Sequence, residues 1–342
     1  MMQIPTISVA MATFNGARYL RQQLDSIASQ TSPPDEIVII DDGSIDNTVA
    51  IIESFAARVP FPVRLTRNEH RLGYGENFFR AASQCRSDWI SFCDQDDVWF
   101  SEKLVRVRHA IKQGPPDLKL VVHQAEFTDG SLVPVGRRLI DHIDREVVPR
   151  RGHKCLWVAY GNTLTVSSHL VHELDWSSRP IDRFFASQKM SHDTWISVLA
   201  NALGATRFIA APCILYRRHE EALTISFSRP KKSQILLESR LSRGHRFFQG
   251  ALFRLEIAEH LEKLAEHSPA RYRRGLKEHA QDFRQGSNVL RNRAALELER
   301  QLGRRATALF QNIRVGAYLH TNNFGFSLRS LALDVAKLCR VL

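Results

Sequence analysis

Four apolar runs within the first hundred residues, separated by segments of helical period, constrain this 342-residue chain more than any other feature. They read ISVAMATF (7–14), DEIVIIDDGS (35–44), VRLTRNE (63–69) and DWISFCDQDD (88–97). Between them, ARYLRQQLDSIASQ places Tyr19, Leu20, Leu24 and Ile27 at helical spacing, and DNTVAIIESFAARV and YGENFFRAASQC also read as helices. Such alternation predicts βαβ units, whose parallel strands are covered on both faces and leave a ligand crevice beyond their carboxyl ends. Asp41, Asp42, Asp94, Asp96 and Asp97 all fall at such ends.

The alternation loosens after WFSEKLVRVRHAIKQ (99–113), which reads as a helix. LKLVVHQAEFTD (118–129) and YGNTLTVSS (160–168) read as strands, residues 129–155 as a loop-rich insert, SHDTWISVLANALG (191–204) as a helix, and TRFIAAPCILYRRH (206–219) as one strand or a pair. A proline and a basic pair in SRPKKS (228–233) mark a boundary between residues 1–228 and a helical region, 229–342. In that region residues 233–267 and 288–313 carry apolar side chains at spacings of three and four. Charge divides at the same place. Residues 230–342 hold 21 Lys and Arg against 10 Asp and Glu, whereas residues 1–229 hold 26 of each, so the net charge of +11 belongs to the tail. A basic extension on a neutral body implies a negative partner for the extension alone: anionic lipid, nucleic acid or a phosphorylated substrate.

Acids at two strand ends of one parallel sheet share a crevice, and they repel one another unless hydrogen-bonded or neutralised. Hard divalent cations, Mg²⁺ or Mn²⁺, take oxygen ligands from few carboxylates and complete their shells with water and phosphate oxygens. The pattern therefore predicts a divalent cation escorting a diphosphate. The competing reading is that Asp42 or Asp97 caps the helix that follows.

Six blocks in fixed order, ISVAMATFNGARYLRQQLDSIASQT, IVIIDDGSIDNT, RLGYGENF, DWISFCDQDDVW, SHDTWISVLA and ILYRRH, resemble the family 2 inverting glycosyltransferases of the GT-A fold. CDQDDVW resembles their bacterial rhamnosyltransferase branch. The resemblance implies an α/β, Rossmann-like mixed sheet flanked by helices; it does not reach the C-terminal helical extension. It implies that Thr13, Phe14 and Asn15 face the nucleotide base, that Asp42 accepts a hydrogen bond from the pyrimidine, and that Leu72 and Gly73 lie beside the nucleotide. Asn77 then either helps hold the diphosphate at a helix start or caps that helix. Asp94-Gln95-Asp96 matches the family's Asp-x-Asp motif, with the first acid near the ribose and the last on the metal; strand alternation projects positions 94 and 96 to the same side. His192-Asp193 matches the pair at the base position. Asp193 is assigned the proton of the acceptor hydroxyl, with His192 as the alternative. His219 matches a histidine that reaches the metal or the diphosphate, or else lies on the surface, and Arg217 and Arg218 either offset phosphate charge or are solvated. EEALTIS (220–226) departs from the Asn and Gly that usually continue this motif. The implied reaction is metal-dependent transfer with inversion, from dTDP-rhamnose or a UDP-sugar to a saccharide or lipid-linked saccharide, in cell-surface polysaccharide synthesis.

The last segment, GFSLRSLALDVAKLCRVL (325–342), spaces Phe326, Leu331, Leu338 and other apolar residues among Arg329, Lys337 and Arg340. A helix of this kind either lies on an anionic membrane surface or packs on the chain's own core or a second subunit. No apolar run approaches the roughly 20 residues that a membrane span needs, and MMQIPT leads into a strand without the basic start of a secretion signal. Five cysteines without a Cys-x-x-Cys pair read as thiols in a reducing compartment, which places the chain in the cytoplasm, free or peripheral to the membrane. A nucleic-acid-binding, metal-dependent nuclease or nucleotidyltransferase would also use an acidic crevice and a basic tail. No nucleic-acid motif is present, and no such partner is expected.

Overall fold

Strands buried on both faces need helices on both faces, and the first hundred residues supply them in chain order. The computed structural model describes residues 4–140, 145–153, 159–182, 188–220, 240–299, 301–318 and 328–339. Strands β1 (Ile7–Thr13), β2 (Glu36–Asp41), β3 (Val63–Arg67) and β4 (Trp89–Cys93) alternate with helices α1 (Ala17–Ala28), α2 (Thr48–Ala56) and α3 (Tyr74–Gln84). Next come β5 (Val98–Trp99), α4 (Lys103–Lys112), β6 (Leu118–Thr128), β7 (Pro134–Arg138), β8 (Val147–Val148), β9 (Leu164–Ser167), α5 (His169–His172), α6 (His192–Leu203) and β10 (Ala205–Arg217).

These strands form a mixed sheet of order β3-β2-β1-β4-β9-β6-β10-β5, with β7 beside β6 and β8 beside β10. β3, β2, β1 and β4 are mutually parallel, as are β6 and β10. β9 pairs antiparallel with both β4 and β6, so β6 and β10 run the same way as β1. Six strands therefore point their carboxyl ends at one edge. Side chains alternate as the period demands: Ile7, Val9 and Met11 of β1 join Ile37 and Ile39 of β2 in the core formed with Leu20, Leu24 and Ile27 of α1.

Two features depart from expectation, and the choice between one strand and a pair at 206–219 is decided. Residues 129–155 carry β7 and β8 rather than loop alone. β10 is one 13-residue strand, whose register against β6 shifts around Pro212 because proline has no N–H to give the ladder. The expected helix over 288–313 is broken into α8 (Ala270–Leu298) and α9 (Leu302–Arg314): Glu299 turns extended, its carboxylate accepting from Gln301 N at 3.1 Å. The chain folds back there so that Leu309 joins Val289 and Leu296 in a core.

The chain divides into two compact units, one comprising Met1–Arg150, Trp157–Ser177 and Ser187–Ile225, the other Arg151–Leu156, Ser178–Ala186 and Ser226–Leu342. The second contains α7 (Arg240–His267), α8, α9 and α10 (Leu328–Cys339). The linker expected at 228–233 and the EEALTIS segment from residue 221 lie outside the described residues. Within the helical unit, α10 is docked rather than free. Leu331 and Leu338 pack on Val289, Leu296, Leu309 and Tyr318, and its Asp334 is fully buried. Among the described residues no helix is long and apolar enough to cross a membrane. Cys85, Cys93 and Cys213 are buried free thiols.

Candidate active site

Parallel register sets Thr13 opposite Asp41 and Met11 opposite Cys93, so whatever follows β1, β2 and β4 meets at one edge. Thr13 Oγ1 donates to Asp41 Oδ1 (3.0 Å), and Asn15, at φ 46°, accepts from Ile45 N through its Oδ1 (2.9 Å). The Phe14 backbone is held at both ends by Gln95, Phe14 N donating to Oε1 (2.9 Å) and Nε2 donating to Phe14 O (3.1 Å). Gln95, the middle residue of the Asp-x-Asp match, thus stitches β1 to the turn after β4. Arg71 lies over the Phe14 ring at 3.9 Å.

Asp42 is buried and accepts from Asn68 Nδ2 (2.8 Å), Leu72 N (2.7 Å) and Gly73 N (2.8 Å). The carboxylate expected to accept from a pyrimidine also anchors the 72–73 loop. Gly73 sits at φ 86°, a conformation L side chains rarely adopt, and leads into α3. Asn77 also differs from expectation. It lies one turn inside α3 with 1% exposure, its Nδ2 donating to Ile40 O and its Oδ1 accepting from Asn68, so it fastens α3 to β2 instead of capping or reaching a ligand. A cavity of about 370 Å³ lined by Arg67, Glu69, His70, Leu72 and Arg80 borders the same loop.

The turn after β4 gathers the acids. One carboxylate oxygen from each of Asp94, Asp96 and Asp97 lies within 4.8 Å of the others. Asp97 is fully buried and is no cap: its Oδ2 accepts from Asn162 Nδ2 (2.6 Å) and its Oδ1 from Arg217 N (3.1 Å), tying the turn to β10. Asp96 Oδ2 is 2.9 Å from His219 Nε2, and the His219 side chain, 8% exposed, stacks on Tyr19. His219 is therefore not a surface histidine. Arg217 is not solvated either: it is buried over the Tyr19 ring and donates to Asp96 O (2.7 Å), Gly130 O (2.6 Å) and Gln22 Oε1 (2.6 Å). The half-buried carboxylate of Asp94 has no hydrogen-bond partner among the described residues.

Crowding has an electrostatic signature. Burial, then the charges of Asp96 and Asp193, push Asp94 up to about 8, and burial with Asp96 and Asp94 pushes Asp97 well above the carboxylate range. A buried cation that opposes them is Lys103, at zero exposure, 3.5 Å over the Trp99 ring and donating to Asn162 O (3.3 Å). Burial pulls its ammonium down to about 8 against the nearby Cys93, Cys213, Asp97 and Asp94. Lys103 and the Arg217 guanidinium, which feels Asp96 and Asp97, are two cations against Asp94, Asp96, Asp97 and Asp193; negative charge is in excess, and the unpartnered oxygens of Asp94 beside Asp96 and His219 suit a hard divalent cation.

Asp193 stands in the first turn of α6, where the N-terminal backbone dipoles favour an anion. Its Oδ1 accepts from Ser191 Oγ (2.5 Å) and Thr194 N (2.7 Å), while Oδ2 has no partner among the described residues. Its charge is felt by Asp94 and by Tyr160, whose phenol burial pushes up, Arg218 opposing and Asp193 adding. His192 turns the other way. It is buried and stacks 4.2 Å from Phe78 and 5.1 Å from Phe92, and a Cβ on Gly161 would fall 2.5 Å from its Nε2. The two members of the His-Asp pair differ in exposure: Asp193 is part-exposed, whereas His192 is buried among aromatic rings. Lys103 and Asn162 escaped sequence reading: a lysine in a helical first turn looks solvated, and the Gly-Asn pair at 161–162, a turn signal, was absorbed into the expected strand.

Residues 8–159 match the sequence profile of Glycosyl transferase family 2. Curated relatives include dTDP-rhamnosyl transferase RfbG of Shigella flexneri, 28% identical over 225 residues, which are 61% of this chain and 72% of that one. An uncharacterized glycosyltransferase of Nostoc sp. is 32% identical over 125 residues, 36% of this chain and 38% of the relative, so the chain spans well under two thirds of that relative's length. Among solved structures, S. aureus TarS 1–349 in complex with UDP superposes with a TM-score of 0.52 at 16% identity, covering 92% of this chain and 93% of that one. At that identity the likeness establishes the fold.

Proposed function

We propose, from the match of residues 8–159 to the profile of Glycosyl transferase family 2, that the chain transfers a sugar, with inversion, from a pyrimidine nucleoside-diphosphate donor to a hydroxyl of a saccharide or lipid-linked saccharide. Rhamnose carried on dTDP is the first candidate, supported by the Shigella flexneri relative; UDP-sugars stand next. The observation that carries the reading is the meeting at one strand edge of two kinds of acid: Asp94 and Asp96 beside His219, and Asp193 with an open oxygen close enough to raise Asp94.

Each group has a distinct task. Asp94, Asp96 and His219 would hold Mn²⁺ or Mg²⁺, which when bound supplies the positive charge that a departing diphosphate needs. Asp193 Oδ2 takes the proton of the acceptor hydroxyl as that oxygen bonds to the anomeric carbon and the bond to the donor phosphate breaks on the opposite face. Ser191 and Thr194 orient the carboxylate through its other oxygen. Asp97, Asn162 and Arg217 fix the turn that carries the acids, and Asp42 fixes the loop beside the donor.

Turnover of dTDP-rhamnose with Mn²⁺ and a polyprenyl-linked saccharide acceptor tests the assignment. Asp193→Asn should lower transfer by about 10²–10⁴-fold while donor binding, read by calorimetry, stays close to that of the parent chain. A variant with near-parental turnover removes Asp193 from the mechanism.

A further inference from the structure

Helix α9 buries one face and carries an apolar stripe on another. Arg305, Ala308, Leu309 and Asn312 are buried within the helical unit. Leu302, Ala306, Phe310 and Ile313, at steps of four, four and three, make a second stripe. That stripe looks outward: Leu302 is 50% exposed, Phe310 65% and Ile313 46%, and Val315 just beyond the helix is 51% exposed. A contiguous outward apolar surface on a soluble chain marks a place where something docks.

The surroundings say what. From Leu302 to Val315 the chain has Arg304, Arg305 and Arg314 and no acidic residue. A shallow cavity of about 720 Å³ reaches Gln301, the residue that precedes the same helix, and is lined also by Phe248, Arg291, Ala294 and Leu298, with Glu299 as the acid on its wall. Arg304 is 71% exposed although it approaches Glu299 at 3.5 Å. The region from residue 230 carries 21 − 10 = +11 charges, so two copies of it repel, whereas a surface of anionic head groups attracts it.

We propose that the outward face of α9 docks on a lipid bilayer bearing anionic head groups. Phe310 and Ile313 enter the interface, and Arg291 and Arg314 meet the head-group phosphates. The basic, apolar segment that the sequence singles out, 325–342, is a poorer anchor, because Leu331 and Leu338 of α10 are already in a core and Asp334 is buried there.

Flotation of the full chain tests this with vesicles of phosphatidylcholine alone and of phosphatidylcholine with about one third phosphatidylglycerol. The parent chain should float with the anionic vesicles only. Phe310→Gln combined with Ile313→Gln should abolish flotation, and Arg291→Gln combined with Arg314→Gln should weaken it about 30-fold, as expected for two charges at the surface. All four side chains are exposed, so unchanged thermal melting and unchanged donor hydrolysis confirm that each variant is folded. Equal flotation of parent and Phe310/Ile313 variant, equal flotation on neutral vesicles, or no flotation at all overturns the proposal. A dimer in light scattering that the same pair of substitutions dissociates overturns it too, by making the face a subunit contact.

Discussion

The helical unit and the turn after β4 both crowd carboxylates into buried surroundings, and they treat them in opposite ways. In the helical unit Asp334 meets Arg293 at 3.0 Å, Lys337 at 3.0 Å and the Tyr318 hydroxyl at 2.9 Å. Glu297 meets Lys337 at 2.7 Å and Arg243 at 3.4 Å, and Asp282 holds Arg151 in two bonds of 2.7 and 2.6 Å. Burial alone would raise Glu297 and Asp282. Hydrogen bonds and charge from Lys337 and Arg243, and from His279 and Arg151, outweigh it and hold both below the usual carboxylate range. At the strand edge, burial and neighbouring acids drive Asp94 and Asp97 the other way, outweighing Lys103 at Asp94 and the hydrogen bonds from Asn162 and Arg217 at Asp97. Acids that serve architecture have their counter-ions built in; acids left crowded at the mouth of a crevice await a counter-charge from outside.

Removing an acid from each region should break the symmetry between them. Asp96→Ala should cost about a thousand-fold in transfer, roughly 4 kcal/mol of barrier, and leave the melting temperature level or higher, since one repelling charge is gone. A large loss of stability instead would show the cluster to be architectural and erase the contrast. Asp334→Ala should do the reverse. Stranding the buried Arg293 costs about 3 kcal/mol in chemical denaturation, with donor hydrolysis by folded protein unchanged.

Acid titration gives the smallest of the three effects. The folded values of Glu297 and Asp282 lie below their ordinary 4.5 and 3.8. Their stabilisation is therefore fully present above those ordinary values and is lost as pH falls through the depressed ones. Helical circular dichroism should decline on that side of pH 4.5, and Glu297→Gln should flatten the decline. A profile identical to the parent's would mean that Glu297 is no better paired than the strand-edge acids.

Legibility followed the range of the interactions. β1, β2, β4 and α1 are readable because period and turn residues are local, and the gathering of Asp94 and Asp96 at a carboxyl edge follows from strand direction alone. The position of β9 is not readable. Its antiparallel place between β4 and β6 aligns β6 and β10 with β1, and chain order carries no trace of that choice. Asn77 and Arg217 look like ligands for a phosphate in sequence, because a polar side chain near a motif carries no label for what it touches. Only packing shows that Ile40, Asn68, Asp96, Gly130 and Gln22 already occupy them. The apolar stripe of 325–342 was equally ambiguous: a helix bears the same pattern whether it meets lipid or its own core.

The sequence by itself determined the α/β alternation, the edge at which acids collect and the separation of a basic helical region, since each depends on residue type and spacing along a single stretch. Tertiary structure alone decided which acids receive partners, which member of His192-Asp193 is buried and which is part-exposed, and which apolar helix face stays outside. Those outcomes depend on groups distant along the chain arriving at one point, where burial makes an unpaired charge costly and leaves room for few competitors.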